Sequence, residues 1–145
     1  MRSAATDRDL SRVPFNSARA MIQASVTIVA PEQQRDTLLR ALRAQVSAVR
    51  GENGCLGCRL YQDVEEPDAL TLVEEWDSAA DLRCRLRSDD YRLLLHLMES
   101  SREPPRVLFR AVEMARGLDL VLEARLPMQK AADLTVQQLL TQAPA

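Results

Sequence analysis

The sequence predicts an α+β domain in which a split βαβ repeat builds a four-stranded antiparallel sheet with helices on one face. Three observations carry that prediction. Met21–Val29, MIQASVTIV, alternates Ile22, Ala24, Val26 and Ile28 against Gln23, Ser25 and Thr27, the period-2 pattern of a half-buried strand. Leu38, Leu39, Leu42, Val46 and Val49 then form one apolar stripe at helical spacing. The stretch Gly51–Trp76 next reads as a β-hairpin, its arms Cys55–Val64 and Leu70–Trp76 separated by polar, Pro67-containing residues that turn the chain.

In chain order, residues 1–20 mix Arg, Ser, Asp and Pro without periodicity and are expected to form a disordered leader. After the first strand, Pro31 suits the first position of a helix and Glu32 its first turn, so a helix is expected to run on to Arg50, with Gly51 behind it. In the hairpin's first arm, Leu56, Cys58 and Leu60 alternate with Arg59, Tyr61 and Asp63. Ser78 opens a loose capping box with Asp81, which predicts a helix over Ala79–Arg87. Ser88, followed by Asp89 and Asp90, caps another reaching about Ser100, with Tyr91, Leu94, Leu95 and Met98 on one face. Pro104 and Pro105 stop it. Arg106–Ala115 is the fourth strand, and Gly117 ends the domain. Residues 118–145 form an extension, with Leu118–Leu126 a short strand or helix and Ala131–Gln142 a short amphipathic helix.

This order is the ferredoxin-like arrangement. Helices cover one face of such a sheet, and an apolar second face calls for a second layer. A second copy packed sheet to sheet supplies it, so a C2 homodimer is expected.

Composition narrows the function. The chain has 145 residues, about one domain, and its 46 % hydrophobic content suffices for a core. Net charge is −2 and the basic residues are scattered, which argues against nucleic acid as a partner. No apolar run approaches the ~18–20 residues that span a membrane. Three cysteines and no secretory apolar segment point to a reducing cytoplasm.

Candidate chemistry is sparse. Cys55 and Cys58 lead into a strand rather than a helix N-terminus, so they read as packing residues, with a thiol sensor as the sharper alternative. Zinc would need Cys55, Cys58, Cys84 and His96 together; without a second C-x-x-C no metal is expected. His96 is the sole histidine and the candidate general base, set against a plain helix-surface role. Trp76 ends its strand, as a pocket wall or a core anchor. Tyr91 is a second aromatic wall. Tyr61 and Arg59 are candidate polar handles for substrate, expected in the same space as Trp76. Arg85 is a candidate anion partner, with a solvated helix face as its ordinary use. No dinucleotide, P-loop, zincin or nucleophile-elbow motif occurs.

The stretch N-G-C-L-G-C-R-L-Y (Asn53–Tyr61), the E-E-W of Glu74–Trp76 and the S-x-x-Y of Ser88–Tyr91 resemble the antibiotic biosynthesis monooxygenase domain over about Met21–Ala115. That family belongs to the dimeric α+β barrel superfamily. The resemblance implies oxygenation of a small aromatic, quinol or polyketide-like substrate by O₂ without a bound cofactor. It also marks departures. The family's H-x-x-x-x-H positions, counted from Trp76, hold Arg85 and Asp90. Haem-degrading relatives pair a helix histidine with an Asn on the first strand, which Met21–Val29 lacks. His96 lies about one residue, roughly 100° of helix, out of register with theirs, so no haem is expected. A non-catalytic ligand-binding or dimerisation protein on the same fold is the alternative.

Overall fold

A computed structural model describes residues 20–126 and Thr141. The expected leader, apart from Ala20, and the expected helix over Ala131–Gln142, apart from Thr141, lie outside the described residues. The elements are β1 (Met21–Val29), α1 (Arg35–Arg50), β2 (Cys55–Gln62), β3 (Ala69–Trp76), α2 (Ala79–Arg87), α3 (Asp89–Glu99), β4 (Arg106–Val112) and α4 (Leu118–Arg125). The four strands form one antiparallel sheet in the order β2-β3-β1-β4, the ferredoxin-like α+β topology. Residues up to Glu113 form one compact unit and those from Met114 another.

The helix after β1 starts later than its proline suggested. Gln33 takes a left-handed φ of 63°, which no helix can continue, and Gln34 N–H closes a turn on Pro31 O. Helix α1 therefore begins at Arg35, with Asp36 rather than Glu32 in its first turn. Helices α2 and α3 lie where expected, but Leu95, expected on the apolar face of α3, is exposed, and the buried face is Tyr91, Leu94 and Met98. Ser78 and Ser88 Oγ accept from the backbone N–H of Asp81 and Tyr91, and Ser88 ends α2 while opening α3. Strand β4 stops at Val112. The segment from Leu118 resolves as helix α4, where Arg116 pairs with Asp119 and Glu123.

Ile22, Ala24, Val26 and Ile28 of β1 and Leu70, Leu72 and Trp76 of β3 face the helices, and with Leu38, Leu42, Val49 and Leu94 they form the core. The opposite sheet face is mixed. It carries Gln23, Ser25, Thr27, Arg59, Thr71, Glu75 and Arg110 together with Met21, Tyr61, Val73, Leu108 and Val112, and the Thr27 and Thr71 hydroxyls meet at 2.7 Å. Alternation gives the apolar residues of β1 to the helix side and leaves its polar ones here, between the more apolar positions of β3 and β4.

Leu94 is buried in the core, and Leu93, about 100° round α3 from it, is exposed. Leu94→Ala should cost about 2–5 kcal/mol, whereas exposed Leu93→Ala should stay within about 0.5 kcal/mol. Urea unfolding of the two variants checks the helix register.

Candidate functional site

Position 74 is the anomaly in β3. It lies in the inward register with Leu70, Leu72 and Trp76, yet it is a glutamate, and it is buried. A carboxylate in a core position needs a cation and hydrogen bonds. Arg85 of α2 supplies both. Arg85 Nη2 donates to Glu74 Oε1 at 2.9 Å, and its Nε to the same oxygen at 3.2 Å. Trp76 Nε1 donates to Glu74 Oε2 at 3.0 Å. Arg85 Nη2 also donates to Gln45 Oε1 at 3.2 Å, and Gln45 Nε2 reaches Asp90 O at 3.3 Å. The guanidinium lies 5.1 Å from the Tyr91 ring centroid, within cation–π range. Ser88 holds this geometry by donating to Arg85 O at 2.7 Å while accepting from Tyr91 N–H.

One group in the cluster lacks a partner. Arg85 Nη1 is buried without a hydrogen bond. The nearest acid is Glu52, in the loop between α1 and β2, whose Oε1 stands 3.9 Å away, beyond hydrogen-bond reach. Glu52 is the most exposed of the three charges: its side chain is 25 % exposed, against 0 % for Arg85 and 4 % for Glu74. Burial raises the Glu52 pKa above its usual value; Arg85 opposes the rise, and the negative charge of Glu74 adds to it. Burial likewise raises the Tyr91 hydroxyl, with Glu74 adding and Arg85 opposing.

The loop reaches Arg85 because Gly54 lets it. Gly54 has a φ of 80°, and a Cβ there would lie 2.2 Å from the Asp81 carboxyl carbon. Asp77 N–H donates to Gly54 O at 2.9 Å and Cys55 N–H to Glu52 O at 3.2 Å, fixing the loop against the start of α2.

The sequence-derived site residues separate into groups. Trp76, Tyr91 and Arg85 come together in this cluster. Arg85 is not on a solvated helix face, because it shares the inward side of α2 with Leu82. Tyr61 and Arg59 do not share that space. Their β2 positions pair with Thr71 and Val73, on the face opposite Glu74 and Trp76, where they line an open cleft of about 480 Å³ with Glu75 and Arg110. His96 lies on the outside of α3, its side chain 66 % exposed and its Nδ1 3.5 Å from Glu99. Glu52, Glu74 and Gln45 were missed. An inward-register glutamate is the signal that would have found Glu74 and, through it, a buried arginine.

A bulge brings the two cysteines of β2 to one face. Residues three apart on a regular strand face opposite ways, but a bulge shifts the register between Cys55 and Gly57. Cys55 pairs with Trp76 and Cys58 with Glu74, so both lie on the helix side. Burial pushes the Cys58 thiol up to about 12, which keeps it protonated and unreactive at neutral pH. Cys84 is exposed on α2.

The sequence profile of the antibiotic biosynthesis monooxygenase family matches residues 20–97. The chain belongs to the antibiotic biosynthesis monooxygenase family. Solved structures agree on the fold. A conserved protein from Methanosarcina mazei Go1 superposes with a TM-score of 0.60 at 20 % identity, over 66 % of this chain and 95 % of that one. Rv0793 from Mycobacterium tuberculosis gives 0.60 at 21 %, over 67 % and 99 %. A structure described as an antibiotic biosynthesis monooxygenase gives 0.56 at 22 %, over 61 % and 95 %. No curated protein matches the chain. Among the described residues, no helix of this family member is long and apolar enough to cross a membrane.

Removing one partner of a buried ion pair leaves an uncompensated charge. Arg85→Met and Glu74→Gln should each cost about 3–5 kcal/mol, and the double variant less than the sum of the two. Denaturant titration of the four proteins measures that coupling.

Proposed function

We propose that the chain is a cofactor-independent monooxygenase that uses O₂ on a small aromatic substrate of the quinol or polyketide-like class, at the Arg85 cluster. The observation that supports this reading is the buried guanidinium nitrogen Nη1, which has no hydrogen-bond partner and lies beside an acid of raised pKa. An electron-rich phenol or quinol must lose a proton before it can reduce O₂. Glu52 is the acceptor for that proton and Arg85 Nη1 the donor to the resulting oxyanion. Trp76 and Tyr91 supply aromatic walls, and the low-dielectric surroundings keep water from the intermediate. The balance is QH₂ + O₂ → hydroxyquinone + H₂O. One oxygen atom enters the ring, the other leaves as water with two substrate hydrogens, and the substrate supplies every electron.

Arg85 stands where quinol-oxidising relatives carry a histidine. Arginine stays charged at any working pH, so it cannot serve as the base. That leaves Glu52 and, further off, His96. A second reading, a non-catalytic ligand-binding protein on the same fold, is favoured by a different observation: Trp76 and Arg85 fill the interior between helices and sheet.

Oxygen uptake with a panel of hydroquinones and anthrones, with and without added haem or flavin, decides between them. Uptake above the spontaneous rate is expected without cofactor, rising with pH as Glu52 ionises. Glu52→Gln should lower it by roughly 10²-fold, and His96→Ala by less than about threefold. The opposite pattern would give the base role to His96. No uptake across the panel would leave the ligand-binding reading.

The protein is also proposed to be a homodimer packed through the open sheet face. The half-buried Val73 and the paired Thr27 and Thr71 occupy its centre, with Arg59, Glu75 and Arg110 as the polar groups to be matched. Light scattering at micromolar concentration should give twice the 16.3 kDa chain mass. Arg110→Glu, placing a second acid across Gln23 from Glu75 on this face, should shift it toward the monomer.

A further inference from the structure

A second cleft, of about 480 Å³, lies between the flank of α1 and the far end of edge strand β2. Its helix wall is one stripe, Leu39, Arg43, Val46 and Arg50, spaced four, three and four residues apart. Its strand wall is Leu60 and Gln62. Leu39, Val46 and Leu60 make the floor, continuous with the core they pack against. Arg43 and Arg50 stand one above the other at the rim, two turns of helix apart.

No acidic residue lines this cleft, although the chain as a whole carries a net charge of −2. Among the described residues no carboxylate pairs with Arg43 or Arg50. Arg50 is held in place by a different bond. Its Nε donates to Cys58 O at 3.0 Å, so the guanidinium is pinned to β2 while its two terminal nitrogens stay available. A fixed guanidinium is a fork that matches a carboxylate, a second one two turns along the helix adds positive charge to the rim, and an apolar floor below suits a hydrocarbon or aromatic body.

From this arrangement we infer that the α1–β2 cleft binds an organic carboxylate with an apolar body, its carboxylate between Arg43 and Arg50 and its body on Leu39, Val46 and Leu60. The site is independent of the Arg85 cluster, with which its lining shares no residue. It stands whether or not the protein oxygenates anything.

The test is calorimetric titration of the full-length protein with 1-naphthoate, 1-naphthylmethanol and acetate. Saturable binding of 1-naphthoate at one per chain is expected, with the alcohol, which lacks the charge, and acetate, which lacks the body, at least tenfold weaker. Arg43→Glu should weaken 1-naphthoate at least tenfold with an unchanged thermal midpoint, since Arg43 is exposed and unpaired. Ser47→Phe, which fills the cleft from the helix side, should abolish binding while leaving oxygen uptake at its wild-type level. Equal binding of 1-naphthoate and its alcohol, or no saturation below millimolar concentration, overturns the inference. So does binding that survives Arg43→Glu and Ser47→Phe but is lost in Glu52→Gln, which would put the ligand at the Arg85 cluster instead.

Discussion

A buried ion pair between Glu74 and Arg85 constrains everything packed around it. Taking two charges out of water costs several kcal/mol per ion, and their attraction recovers that only with good geometry and further hydrogen bonds. Those bonds come from three separate elements. Trp76 lies on the same strand as Glu74, Gln45 reaches in from α1, and Ser88 fixes the end of α2 from which Arg85 projects. The sheet, α1 and the α2–α3 corner are thus registered against one another by polar contacts that tolerate little displacement, where a purely apolar core would accept sliding. The pair contributes less as net stability than as a determinant of which arrangement is adopted.

The fold was legible because most of its information is periodic. Alternation in Met21–Val29 and the helical stripe of α1 each require only local geometry, and the two serine caps state their positions directly. What escaped the reading was where periodicity is interrupted. Gln33 in a left-handed conformation delays α1, and nothing in P-E-Q-Q announces it. The bulge at Cys55–Gly57 turns Cys55 to the same side as Cys58, because one inserted residue reverses the parity of everything before it. Tyr61 and Arg59 were assigned to the same space as Trp76, although their own alternation with Cys58 and Leu60 already put them on the other face. Sequence proximity to a conspicuous motif outweighed strand parity there, and parity was the better guide.

Arg85 is the instructive residue of α2. The helix, AADLRCRLR, offers three arginines, and by composition all of them look solvated. Leu82 lies three positions before Arg85 and shares its side of the helix, whereas Arg83 and Arg87 turn away. That still leaves burial of a guanidinium implausible until Glu74 is placed inward on β3. Neither residue is interpretable alone. The pair is a long-range constraint, eleven residues apart across two elements, that a pass along the chain sees only if an acid in a core register is treated as a demand for a partner.

A buried arginine also limits the chemistry open to the site. A histidine at position 85 would gain and lose a proton near neutral pH and so could act as base; an arginine cannot, but it holds a permanent charge against a developing oxyanion. Arginine thus separates two roles that a single imidazole can combine, and the proposed reaction needs another group for the proton. The acid beside Arg85 is Glu52, and the chain's own geometry keeps it there. The left-handed Gly54 brings the loop hard against Asp81, and this close approach is what sets Glu52 beside Arg85 Nη1 rather than in solvent. A side chain at position 54 would push the loop away from α2 and carry Glu52 with it, so the site depends on a glycine that touches no part of it.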